Sequence, residues 1–585
     1  MIKTDGGRIY VTCGEACRII RINNGRAESV CFGKRVEPED DVTALGGGFA
    51  DELSPDTNSV VSGKTELIDK LAVTRVETVD KSELACALPT LRGGETVRIA
   101  LEAQGELRAE LFYTPYIRGG MTRRAVFINI GNKPLKVRRI CAGGVDLALG
   151  QSVYGGDMSP VTGVYRPSRG IEGLTVAEKP DGRRGEHIGL YMLYGGQYSA
   201  AVGERRVDIG LDFAPFGTGA RSGGAYELAP GESISSPELL AVYSDNGAGG
   251  LTRAVHDILR ENLLSENAPK KPVALEFPTV CADEKRICDA ARNAGRLGID
   301  AFTLPLASVD GKTVKLVEAA AAACAEVGIK LGVRFAPSGT DALYGEVKTL
   351  YDAGARHFVL DVHRDVSDEA CTASGYKDAA AMYALLARAA ADFADATAET
   401  AADDLGALRY VPCCSTDAAD IGEACRARLG VGSVVPMCAL GGRADGGQPL
   451  KTAFDVCSLG VLAYRVDPAK LGEGGGRALR AQVFSYQDDR ELIERGDLYR
   501  LTDGDGYAAA AVSKDKSRAL AVYIGTGKAA RIRLFGTDEH ALYHVRELDK
   551  TFSGAALVGY GIDVSDVREG ESVSFHLRQV ADYEL

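Results

Sequence analysis

The stretch His357 to Asp365, HFVLDVHRD, brings a carboxylate (Asp361), an imidazole (His363), a guanidinium (Arg364) and a second carboxylate (Asp365) close together. Groups of these kinds attack as nucleophiles, move protons and hold polar ligands, provided the fold aims them at one place. Phe358, Val359 and Leu360 form a short apolar run, as expected of a strand buried on both faces of a parallel sheet. The helix-like run Val347 to Ala353 before it stops at Gly354, a residue suited to a helix C-cap. Asp361 therefore falls at the C-terminal end of a strand, where parallel sheets and barrels bind ligands and do their chemistry. The plainer alternative is that Asp361 caps the next element or pairs with Arg364.

The elements that must position these groups follow from the texture of the chain. Its 585 residues predict roughly three or four domains. From Met1 to about Ala248 short alternating runs are broken by Gly, Asp, Asn and Pro, which predicts a large antiparallel sandwich. Within it His187–Tyr194 and Tyr198–Val202 read as a hairpin across Gly195-Gly196. Leu251 to Leu264 is an amphipathic helix, and Ala268 to Pro272 a linker. From Val273 to about Leu501 strand and helix alternate, with a glycine leading into an apolar strand at Gly298, Gly328, Gly354 and Gly430. With Tyr410–Cys414 and a unit near Val456–Tyr464, seven or eight strands are expected, which points to a (β/α)8 barrel. Gly472 to Gly476 reads as a flexible loop before a last helix, Arg477 to Ile493, and β texture returns to the end. The expected domains are thus 1–250, a linker helix at 251–272, the barrel at 273–501 and a small all-β domain at 502–585.

Composition narrows the function classes. A net charge of −13 argues against nucleic acid as the main partner. No charge-free apolar run approaches the length of a membrane span, and the N-terminus lacks an apolar signal core. Fourteen cysteines without a CxxC pair read as reduced thiols in a cytoplasm, and Cys13 and Cys17 have no nearby partners to complete a zinc set. No metal or cofactor is expected, since neither a GxGxxG nor a GxxxxGK[ST] loop is present. A second copy of the chain is left open as a partner.

Several stretches carry a more specific likeness. Cys31-Phe32-Gly33-Lys34-Arg35, LAPGESISSPELLAVYS from Leu228 to Ser244 followed by His256, and Phe552-Ser553-Gly554 through Gly561 resemble passages of glycoside hydrolase family 36, the α-galactosidase (melibiase) family. The resemblance runs over nearly the whole chain and implies an N-terminal β-supersandwich, a central (β/α)8 barrel and a C-terminal antiparallel β-sandwich. It also implies retaining hydrolysis or transfer of α-galactosides, with a small carbohydrate as ligand. The family's strand-4 pattern KWDMNR falls on Val359 to Arg364, which makes Asp361 the nucleophile, keeps Arg364 and replaces the lysine by Val359. Its acid/base pattern CSDDTDA falls on Cys414 to Asp420, with Thr416 at the acid/base position and Asp417 one residue on. DDGW falls on Pro305 to Ser308 and WFEPE on Arg334 to Ser338, both without their acidic residues, and CSGGGGR has no counterpart between Thr397 and Arg409.

Retaining glycosidases need two carboxyl groups about 5–5.5 Å apart, one to attack the anomeric carbon and one to protonate the leaving oxygen. Asp361 and Asp417 are the candidates, with Arg334, Phe335, His363, Arg364 and Thr416 as substrate-binding residues. Asp417 serves only if the strand register slips by one, which a bulge at the loop edge absorbs. Glu276 and Asp310 are expected as solvated loop carboxylates, and His357 as a supporting or surface residue. With no tryptophan in the chain, Phe335, Tyr344 or Tyr410 is left to stack on a sugar. Two functions remain: a glycosidase of the α-galactosidase type acting on galactosides or a related α-glycoside, or a catalytically impaired homologue that binds carbohydrate or serves structurally.

Overall fold

The computed structural model describes residues 1–37, 42, 50–156, 158–167, 171–213, 224–265, 269–362, 371–401, 403–416, 418, 420–502, 506–526 and 530–580. The chain divides into two compact units, one of Met1–Ser265 with Arg364–Ala384 and Asp403–Tyr410, the other of Glu266–His363, Leu385–Ala402 and Val411–Leu585.

The first unit is built on antiparallel sheets of ten, seven and five strands. A meander of Glu95–Ala103, Leu107–Tyr116 and Gly120–Asn129 forms the backbone of the largest sheet. Its alternation buries Leu107, Ala109, Leu111 and Tyr113 on one face, the period-2 signature of a half-buried strand. The expected hairpin across Gly195-Gly196 is not there. His187–Met192 pairs with Leu174–Ala177 and Leu239–Ser244 in the ten-stranded sheet, whereas Ser199–Val202 pairs with Gly163–Tyr165 and Arg206–Asp212 in the seven-stranded one. The glycines serve close approach instead of a turn. A Cβ on Gly195 would lie 2.3 Å from Cγ of Asp404, and its N–H donates to the Tyr383 hydroxyl at 2.9 Å. The amphipathic helix runs over Gly247–Asn262 and buries Leu251, Val255, Ile258 and Leu259.

The second unit contains a closed barrel of eight parallel strands. They are β1 (Ala274–Glu276), β2 (Ala301–Pro305), β3 (Lys330–Phe335), β4 (Ala355–Leu360), β5 (Thr397–Ala401), β6 (Cys414–Ser415), β7 (Leu440–Asp445) and β8 (Val461–Arg465). Gly298, Gly328 and Gly354, which precede β2, β3 and β4, have φ of +82°, +73° and +106°. They end helices in the left-handed region that a side chain resists, so the glycine signal there is physical. Gly430 is the exception: it closes helix Ile421–Gly430 and runs into a 3-10 turn, Val431–Ser433, so no strand forms at 433–435. The seventh strand comes later, at Leu440. The sixth is only two residues, shorter than the expected Tyr410–Cys414.

The glycine run at Gly472 is not a loop but the start of helix Gly472–Arg495. Each glycine costs about 1 kcal/mol of helix propensity, and burial of Leu479, Val483, Tyr486, Leu492 and Ile493 along the remaining turns offsets that cost. After the barrel, a six-stranded antiparallel sheet and a two-stranded one enclose a core that includes Tyr523, Tyr543, Phe575 and Leu577. Among the described residues no helix is long and apolar enough to cross a membrane.

Candidate active site

The C-terminal ends of the barrel strands carry a continuous network of charged side chains. Inward positions in β3 are set by Gly332, where a Cβ would touch Thr303 and His357 at 2.6 and 2.9 Å. Two residues on, Arg334 therefore also points inward, and Phe335 between strand and helices faces the other way. Phe335 is 1% exposed and belongs to the core.

Asp361 directly follows β4, and its backbone N–H donates to the Phe335 carbonyl at 3.0 Å, which extends the β3–β4 ladder by one residue. Its carboxylate receives a two-pronged bond from Arg334: Nε to Oδ2 at 2.9 Å and Nη2 to Oδ1 at 2.9 Å. A fork of this kind fixes the plane of the carboxylate as well as its position. The Asp361 side chain keeps 28% of its surface open to solvent.

Behind this pair lies a dry layer. Arg334 Nη1 also reaches Glu276 at 3.4 Å, and Glu276 accepts from Arg443 Nε at 2.7 Å and from Arg465 Nε at 3.0 Å. Arg443 donates on to the Ser415 hydroxyl at 2.7 Å and to Glu399, which the same hydroxyl also bonds. Glu276, Glu399 and Arg443 are each only 5–6% exposed in their side chains. Unpaired charges cost several kcal/mol each in such a place, so mutual pairing is what lets them stay. Burial opposes the charge on Glu399, but Arg443 and Ser415 outweigh it and hold the carboxyl below its ordinary range.

His357, on β4, is buried with Nδ1 2.9 Å from the Thr397 hydroxyl. Burial pushes its imidazole down to about 4, so it is a neutral core residue at pH 7. Glu276 is not the solvated loop carboxylate expected of it, because it ends β1 inside the barrel. Asp310 does stay at the surface, where it caps helix Gly311–Glu326 by accepting from the N–H groups of Lys312 and Thr313. Tyr344 lies on helix Leu343–Asp352, ring to ring with Phe393 at 5.8 Å and with its hydroxyl donating to Asp392 at 2.6 Å. Tyr410 lies in the first unit with its ring 6.3 Å from that of Tyr383. Thr416 directly follows β6 and is half-buried. His363, Arg364 and Asp417 lie outside the described residues.

Sequence reading missed Glu399, Ser415, Arg443 and Arg465. Their signal is a charged or hydroxyl residue within a short strand of mostly small or apolar residues, as in TAETA, LGGRAD and VLAYR. In a small barrel such a residue points inward near the ligand-binding end. Among the described residues no three His, Cys, Asp or Glu side chains are grouped to hold a metal ion.

The chain thus combines large antiparallel sheets, a closed eight-stranded parallel barrel with a charged mouth and a terminal antiparallel sheet, and comparison with known proteins places this fold. Residues 507–577 match the model of the glycosyl hydrolase family 36 C-terminal domain. Alpha-galactosidase AgaA of Geobacillus stearothermophilus is 24% identical over 639 residues, covering 88% of this chain and 84% of its own. The bifunctional alpha-galactosidase/sucrose kinase AgaSK of Mediterraneibacter gnavus is 22% identical, and the match spans 66% of this chain and 50% of that protein. The galactosidase domain of AgaSK superposes with a TM-score of 0.88 at 18% identity, covering 99% of this chain and 100% of that one. AgaB of Geobacillus stearothermophilus gives 0.86 at 20% identity, with 99% and 100% covered. The chain is thus similar to glycoside hydrolase family 36 in its C-terminal domain, and to α-galactosidases in sequence over most of its length and in fold.

Proposed function

We propose that the chain is a retaining glycoside hydrolase of the α-galactosidase type, with Asp361 as nucleophile and Asp417 as acid/base. The observation that carries the reading is the position of Asp361: the end of the fourth barrel strand, open to solvent, with its carboxylate held by Arg334. Among the described carboxylates of the network it alone keeps an open face, since Glu276 and Glu399 are only 5–6% exposed beside the Arg443 guanidinium. Glu399 is further unsuited to donate a proton because its carboxyl is held ionised.

In the first step a carboxylate oxygen of Asp361 bonds to the anomeric carbon while the bond from that carbon to the leaving oxygen breaks. Asp417 gives that oxygen its proton. Water then loses a proton to Asp417 and attacks the same carbon, and the ester bond to Asp361 breaks. Net retention follows from two inversions. The substrate class is a terminal α-linked galactoside or a related α-glycoside. An AgaA variant is known in complex with raffinose, which makes raffinose a sound first substrate to try. A reducing, cytoplasmic setting suits a chain whose fourteen thiols are all free.

Asp361→Asn tests the assignment. The amide cannot form the glycosyl–enzyme ester, so turnover of an aryl α-galactoside should drop by more than a thousandfold with the unfolding midpoint nearly unchanged. Comparable activity in the variant refutes Asp361 as nucleophile. Absence of turnover by the wild type on α-galactosides, α-glucosides and β-arabinosides leaves carbohydrate binding as the role, which a thermal-shift screen against sugars detects.

A further inference from the structure

Arg334 stands where the family pattern WFEPE has tryptophan, and in the ladder between β3 and β4 it is the register partner of Val359. Val359 in turn occupies the lysine position of KWDMNR. A cation missing from β4 at Val359 thus has a counterpart on the neighbouring strand, at the same level of the barrel. We propose that Arg334 is a positioning residue for catalysis: its fork on Asp361 orients the nucleophile and assists its departure from the glycosyl–enzyme. The proposal rests on the reading of Asp361 as nucleophile.

The geometry supports this role over sugar binding. Both Nε and Nη2 are committed to Asp361 at 2.9 Å, and Nη1 leans on Glu276, which Arg443 and Arg465 also hold. The Arg334 side chain is 16% exposed, against 28% for the Asp361 side chain it grips. Its two bonds use one lone pair on each oxygen of Asp361 and leave another on each for attack. When Asp361 becomes an ester its charge disappears and the ion pair is lost. When water displaces it the charge returns, and Arg334 stabilises the departing carboxylate. Electrostatic help is therefore greatest in the second step.

The test uses the full chain and a 4-nitrophenyl α-galactoside, whose activated leaving group makes the first step fast. Arg334→Gln should slow deglycosylation, so kcat should fall about ten- to hundredfold, as expected for loss of a charge-assisted bond. KM should fall with it, and rapid mixing should reveal a burst of nitrophenol stoichiometric with enzyme. Arg334→Lys, which restores the charge but not the fork, should recover part of kcat. A structural defect alone lowers the active fraction without lowering KM or creating a burst. A raised KM with unchanged kcat, or wild-type kinetics in Arg334→Gln, overturns the proposal. A double-mutant cycle with Asp361→Asn, read on urea midpoints, reports the clamp without turnover. Strong non-additivity is expected, and additive effects also overturn it. An inactive wild type refutes the glycosidase reading itself, while the cycle still reports whether the clamp exists.

Discussion

His576 ties the terminal sandwich to the last barrel helix through a charge that is lost on the alkaline side, and His576→Gln measures what that tie contributes. Nε2 lies 2.9 Å from Asp489 on helix Gly472–Arg495, and Nδ1 lies 2.7 Å from Glu547. Burial disfavours the imidazolium, but bonds and attraction from Asp489 and Glu547 outweigh it and raise the group from 6.5 to about 9. A rise of that size corresponds to about 3 kcal/mol between protonation states. Arg518 also pairs with Asp489 at 3.2 Å, and Arg546 with Glu547 at 3.1 Å, so His576 is not the sole cation on either carboxylate. About 1–2 kcal/mol is the reasonable expectation. Because the folded value is raised, the contribution is complete below about 6.5 and disappears as pH climbs through about 9. Urea unfolding of wild type and His576→Gln should therefore differ most at pH 6 and converge by pH 9.5. The acid side has the opposite sign: burial works against Glu547, yet His576 holds it down at about 2, so its contribution is lost as pH falls from 4.5 toward 2. Parallel wild-type and variant stabilities from pH 6 to 9.5 would falsify the reasoning.

Two further outcomes are expected. Arg443→Met removes the cation shared by Glu276, Glu399 and Ser415 and leaves buried carboxylates short of a partner, a loss of about 3–5 kcal/mol. Thermal or urea unfolding reads it, and a change under 1 kcal/mol contradicts the network's role in holding the barrel end. Burial raises the thiols of Cys13 and Cys141 to about 12 and also raises Cys413 and Cys457. At pH 8 these four should resist alkylation in the native protein, while all fourteen react once it is denatured. Rapid native labelling of Cys413, located by mass spectrometry, contradicts its burial.

The sequence by itself determined the order of architectures and the place of Asp361 just past the fourth barrel strand. Apolar runs of strand length, helix-ending glycines at Gly298, Gly328 and Gly354, and the run before Asp361 are local features. Their physical causes, backbone sterics and burial on two faces, act within a few residues. The same local signals failed where a distant partner decides the conformation. Gly195-Gly196 looks like a hairpin turn until Asp404 and Tyr383, some two hundred residues away, claim the space beside it. Gly472 to Gly476 looks like a loop until later turns of the helix bury their apolar side chains. Only the tertiary structure decided that Glu276, Glu399, Ser415, Arg443 and Arg465, drawn from five different strands, form one paired layer beneath Asp361. A charge in a strand costs too much to bury alone, and whether it is paired depends on which strand ends the closed barrel brings together.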